Sequence, residues 1–252
     1  MWAPPRCFEE FRTRAATDID GVCREVAESI EQALGTEISL PEDLRIVLSP
    51  EPIYIPPRAL VRGGYDPVSR TIILSNGLWC RKTLVHEMLH AVSYFTRVPQ
   101  LLEVFRRETD FVEGLTEFLT GYVLYSAYRE CYQRWLSREY IVCSISYERF
   151  VRLFGALAHV YVSIRDLVRL YIYDPGRDWF REYEEFLRRY GLEDFLLNKP
   201  REMRRVPSSM LLEDIASKAL RQRFGEERVS EFIELLYEAP LDVVLDYSTM
   251  LR

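Results

Sequence analysis

One pentapeptide, His86-Glu87-Met88-Leu89-His90, limits what this chain can fold into more than any other stretch. Residues four apart share a face of an α-helix, so His86 and His90 can both turn an imidazole towards one ion. Glu87 projects about 100° further round, where a carboxylate can poise a water without binding the ion itself. Two of the three histidines in the chain fall here. The competing reading is a pair of histidines that only pack on an amphipathic helix. A catalytic zinc keeps three protein ligands and one open position, so the catalytic reading demands a third ligand from another element.

The following segment, Asp110-Phe-Val-Glu-Gly-Leu-Thr-Glu-Phe-Leu-Thr-Gly-Tyr122, offers Glu113 and Glu117, again four apart on one helical face. Together the two segments resemble the glutamate zincins (gluzincins), metallopeptidases with HExxH on one helix and a glutamate ligand on the next. The resemblance runs from Leu44 to about Tyr125 and is nearest to the compact minigluzincins. It implies Glu113 as the third zinc ligand and Glu117 as the carboxylate that steadies a ligand histidine. A carboxylate accepting the free ring N–H of such a histidine fixes its tautomer and orientation. Glu103, Glu108 and Asp110 are rival carboxylates, read as a solvated helix face. The family's NExxSD wording is missing around Glu113, so the resemblance does not assign the residues that stabilise the transition state.

Composition narrows the alternatives. At 252 residues the chain can bury a sizeable core. A net charge of −6 argues against a general nucleic-acid partner, and no nucleic acid and no membrane are expected. No apolar run approaches the roughly 20 residues of a membrane helix. The start, from Met1 to Arg14, has no apolar signal-peptide core, so the expected location is the cytoplasm. The chain holds 30 arginines against 3 lysines, and only Asn76 and Asn198 as asparagines. Scarce thermolabile amides with abundant Glu and Arg suggest a thermophile, although genome composition produces the same arginine bias. Of Cys7, Cys23, Cys80, Cys131 and Cys143, at least one must be free or intermolecular. Without CxxC spacing a cysteine zinc site is not expected. Cys80 reads as a buried small hydrophobe, with a stray metal ligand as the alternative.

The expected fold class is α+β, predominantly helical. It comprises a small antiparallel sheet, the zincin active-site helix and the glutamate helix, then an all-helical extension. The organisation divides into 1–125, an N-terminal helix plus the zinc core, and 126–252, the extension packed on it. In order, Phe8 to Leu34 reads as an amphipathic helix closed by Gly35. Leu44 to Ser49 and Arg70 to Ser75 read as strands, and the intervening prolines keep the chain extended or looped. Gly63 to Pro67 reads as a turn. The active-site helix is expected from Leu78 to Thr96, and one of the two strands is expected to border its cleft. Asp174-Pro175-Gly176 is a break, and Trp179 to Tyr190 a helix ended by Gly191. The loop Asn198 to Ser209 is solvated, with helices over Met210 to Phe224 and Glu227 to Tyr237 beyond it.

These readings make the chain a zinc-dependent peptidase acting on peptides or proteins. His86, His90 and Glu113 bind Zn2+, and Glu87 is the general base. Tyr122, Tyr125, Tyr128 and Tyr132 recur at helical spacing, the pattern of a packing stripe. Tyr122 and Tyr125 are the first candidates for a hydroxyl aimed at the oxyanion. His159, in an apolar helical segment, is either a satisfied core histidine or a second such donor. The alternative function is a latent or non-catalytic zinc scaffold whose cleft the helical extension caps, with the tail from Asp246 as the candidate cap. A DNA-associated metallopeptidase is a further rival, disfavoured by the net acidity.

Overall fold

A computed structural model describes residues 17–50, 53–55, 59–75, 79–101, 109–137, 145–193 and 208–250. Phe8, Phe11, Cys7, Cys143, Glu103, Glu108 and most of the loop after Asn198 lie outside them, as does the side chain of Asp110. The first helix, α1 (Ile19–Leu34), starts where the Asp18 carboxylate accepts from Gly21 N at 2.9 Å and stops at Gly35, φ 64°. This is the ordinary pairing of an acidic N-cap with a left-handed glycine C-cap. Its four-residue stripe Val22, Val26, Ile30 and Leu34 is buried.

Next come β1 (Arg45–Ser49), β2 (Ile53–Ile55), β3 (Ala59–Val61), β4 (Gly63–Asp66) and β5 (Thr71–Ser75). β2 and β3 form a separate antiparallel hairpin. The other three make one sheet in the order β1-β5-β4, with β1 parallel and β4 antiparallel to β5. The sheet is therefore mixed, not antiparallel as expected. The segment from Gly63, read as a turn, is strand β4. The turn falls later, over 67–70, where the Asp66 carboxylate accepts from Val68 N and Ser69 Oγ and Arg70 takes φ 51°. Gly63 serves close packing instead, because a Cβ there would stand 2.8 Å from Thr83 Cγ2.

Helix α2 (Arg81–Ala91) carries the HExxH residues, and every residue from Thr83 to Ala91 is buried. A helix buried all round belongs in the middle of a domain. The expected continuation to Thr96 is interrupted at Val92–Ser93, and a short helix α3 (Tyr94–Arg97) follows. The break has a tertiary cause. Val92 O accepts from Tyr173 N at 2.7 Å, and Ser93 forms an antiparallel bridge with Ile172. Ser93 Oγ then caps α3 by accepting from Phe95 N.

All the remaining elements are helical: α4 (Thr109–Ala127), α5 (Arg129–Leu136), α6 (Ile145–Val160), α7 (Ile164–Tyr171) and α8 (Trp179–Tyr190), then α9 (Ser208–Phe224), α10 (Glu226–Tyr237), α11 (Leu241–Val244) and α12 (Tyr247–Met250). Gly191, at φ 63°, ends α8, and Pro240 precedes α11. The fold is thus α+β and predominantly helical. Buried side chains from Val22 to Met250 form one continuous core. The expected organisational boundary near Ser126 falls at the C-terminal end of α4.

Helix α4 packs against α1, α2 and α6. Its approach to α6 is close because Gly114 lacks a side chain: a Cβ there would sit 2.2 Å from Phe150 Cβ. Gly114→Ala forces these helices apart. The expected loss is about 1–3 kcal/mol, the usual range for overpacking. Calorimetry should read a fall in Tm of roughly 2–4 °C per kcal/mol lost.

Candidate metal centre

Helices α2 and α4 bring three donor atoms together. His86 Nε2 stands 3.1 Å from His90 Nε2 and 3.1 Å from Glu113 Oε2, and His90 Nε2 lies 3.3 Å from the same oxygen. Among the described residues, this is the one group of three His, Cys, Asp or Glu side chains able to hold a metal ion. With zinc–nitrogen bonds of about 2.0–2.1 Å, donors at tetrahedral corners stand roughly 3.3 Å apart. The spacing therefore fits a four-coordinate ion with two imidazoles and one carboxylate.

The donor chemistry points the same way. His86 Nδ1 lies 2.9 Å from Glu117 Oε2, so its ring proton is held on that side and its Nε2 lone pair faces the cluster. Three electron-rich atoms so close together need a proton or a metal ion among them. Burial works against a charged His86, but Glu113 and Glu117 hold its pKa up to about 10. Burial likewise opposes a charged Glu113, yet His90 and His86 pull its carboxyl well below the usual carboxylate range. The cluster thus attracts positive charge, as a proton or as a metal ion.

Glu117 is the anchor behind the ligands. It is 1% exposed; its Oε1 lies 2.7 Å from Lys82 Nζ and accepts from Trp135 Nε1 at 2.8 Å, and its Oε2 lies 2.9 Å from His86 Nδ1 as an ion pair. Burial would raise its pKa, but the Lys82 charge and the His86 hydrogen bond hold it well below the ordinary value. Thr120 Oγ1, 3.5 Å from His86 Nδ1, is the more distant neighbour and donates to Thr116 O. Glu87 is buried beside the histidines, and burial pushes its pKa up against their opposing charge. Glu113 keeps 27% of its side chain accessible, which leaves the cluster open to solvent on its side.

The other candidates sit elsewhere. Tyr122 lies about 180° round α4 from Glu113 by the helical turn, and its ring packs on Tyr247. Tyr125 packs on Tyr132 and Tyr247. Tyr128 donates to Ser29 Oγ and Tyr132 to Leu245 O. The stripe is a packing surface for α12 and α1. His159 is satisfied at both ring nitrogens, by Val243 O at 3.0 Å and Thr249 Oγ1 at 3.1 Å, and pins the C-terminal helices to α6. Cys80 is a free thiol at the N-cap of α2, with Sγ 3.6 Å from Thr83 Oγ1, and is not among the converging donors. Cys23 is also a free thiol. The C-terminal segment seats Tyr247 on Phe118 O, on the side of α4 turned away from the ligands.

Sequence reasoning missed Lys82 and Trp135. Lys82 had a signal, being one of three lysines and one helical turn before His86. Trp135 had none, since only the reversal from α4 into α5 brings it to Glu117. No family model matches the chain, and neither a curated protein nor a solved structure matches it.

Two outcomes test this geometry. Glu117→Gln should weaken zinc binding by about 10–100-fold, the usual effect of removing the group that orients a ligand histidine; a chromogenic chelator in competition reads it. Secondly, a metal ion must displace the proton that His86 retains below about pH 10 in the metal-free protein. Apparent zinc affinity should therefore fall as pH is lowered from 8 to 6, by about tenfold per unit for one proton displaced. A pH-independent Kd would contradict the assignment.

Proposed function

We propose that this chain is a zinc-dependent hydrolase of peptide bonds. The observation that carries the reading is the triangle of His86, His90 and Glu113 donors beside the buried carboxylate of Glu87. The three donors would hold zinc. Bound there, zinc supplies Lewis acidity towards a carbonyl oxygen and makes a water easier to deprotonate. Zinc is preferred over non-haem iron, which also takes two imidazoles and a carboxylate, because HExxH on a helix is the arrangement of hydrolases.

Each residue then has a task. Glu87 takes the proton of the attacking water and passes it to the leaving amine. Its buried setting raises its basicity, which suits a group that must hold a proton between two steps. Glu117 keeps the His86 ring in the tautomer that presents Nε2. The edge strand β4, packed on the start of α2, is where an extended peptide would add by main-chain hydrogen bonds. Such pairing holds a backbone without regard to most of its side chains, which favours a peptide over other hydrolysable substrates.

Glu87→Gln separates binding from chemistry. The variant should retain one zinc per chain and lose hydrolysis of a mixed fluorogenic peptide pool by at least about a hundredfold, the scale of general-base catalysis. Wild-type turnover in Glu87→Gln would rule the mechanism out. Zinc uptake by the unmodified protein with no hydrolysis would instead make it a latent enzyme or a zinc scaffold.

A further inference from the structure

Residues 171–174, far along the chain from the metal ligands, form a strap across the end of α2. Ile172 bridges Ser93, Tyr173 N donates to Val92 O, and the Tyr94 hydroxyl donates to Asp174 O at 2.8 Å. Tyr171 begins this strap and is fully buried, its ring 5.9 Å from that of Phe95. Its hydroxyl is 2.7 Å from Thr116 Oγ1. Ser93 and Thr116 are themselves wholly buried.

The proton count gives this chain a direction. Thr116 has one hydroxyl proton and donates it to Val112 O at 2.7 Å. Its oxygen must therefore accept from Tyr171. The order is Tyr171 to Thr116 to Val112, and the Ile172–Ser93 bridge ties the same segment to the end of α2. The link thus runs from three residues beyond His90 to the turn of α4 that carries Glu113.

We propose that Tyr171 is a positioning residue that holds the Glu113 turn of α4 against the histidine helix through this one-way hydrogen-bond chain. The proposal rests on the reading of His86, His90 and Glu113 as a metal site. Tyr171 is 0% exposed, so it acts on the ligand geometry and does not touch substrate. The spacing between α2 and α4 is what sets the 3.1 and 3.3 Å separations of Glu113 from the two imidazoles. Without the phenol hydroxyl, Thr116 loses its donor and the strap loses its tie to α4. The helical half of the chain thereby supplies part of the metal site and does more than cover it.

Cobalt titration of the full-length metal-free protein, followed by visible absorption, tests this directly. Tyr171→Phe keeps the ring and removes the hydroxyl. It should raise the cobalt Kd about tenfold, at the lower end of effects from groups that orient metal ligands, and alter the d–d bands. Tyr161→Phe, which removes a hydroxyl bonded to Tyr190 O in the same half of the chain, should leave Kd and spectrum unchanged. Thr116→Val, which removes the acceptor of the Tyr171 hydroxyl, should shift both in the direction of Tyr171→Phe and serves alone if that variant does not fold. Wild-type cobalt binding by Tyr171→Phe or by Thr116→Val overturns the proposal, as does an equal weakening by Tyr161→Phe. If the unmodified protein takes up no cobalt, the metal-site reading falls, and this inference falls with it.

Discussion

The buried carboxylate of Glu117 is the interaction on which the rest of this structure turns. An ionised carboxylate removed from water costs several kcal/mol unless it is paired and hydrogen-bonded. Here it pairs with the Lys82 ammonium, accepts from the Trp135 indole N–H and stands 2.9 Å from His86 Nδ1. Those donors come from α2 and α5, so one side chain of α4 ties three helices together. The same contact decides which nitrogen His86 presents to the ligand cluster. Stability and site geometry therefore share one group, and a change that relieves one disturbs the other.

Around that contact the packing is close where glycine permits it. Gly114 lets α4 meet Phe150, Gly121 leaves room for Trp135 and Tyr247, and Gly63 lets β4 lie on Thr83. Each brings a second element against α2 or α4. A polar cluster set within an apolar core must be complete, because an unpaired buried donor or acceptor forfeits its hydration without return. The clustered donor atoms meet this demand with a proton or a metal ion among them, and the raised pKa of His86 reflects the same need.

The two halves of the chain are interdependent for this reason. The candidate metal donors all lie between 86 and 113, but Trp135, Tyr171 and Tyr247 reach back to α4 from the later helices. Tyr247 donates to Phe118 O, next to Glu117, and its ring anchors the tyrosines of α4. The C-terminal segment thus buttresses the far side of the glutamate helix; among the described residues it does not cover the cluster. Among those residues, too, no helix is long and apolar enough to cross a membrane.

Much of this was legible in the residues alone. The four-residue spacings of His86 with His90, and of Glu113 with Glu117, follow from the helical turn. So do the stripe of α1 and the glycine-ended helices, because each depends on neighbours within about one turn. The ligand triangle required only that two such helices face one another. Tertiary structure decided what no local pattern encodes. β4 is a strand because β5 pairs with it, although its glycines read as a turn. α2 stops at Val92 because a segment some eighty residues later takes its carbonyl. Trp135 and Tyr171 reach Glu117 and Thr116 because the chain folds back, and aromatic residues at helical spacing look alike whether they bond a neighbouring helix or merely fill a core.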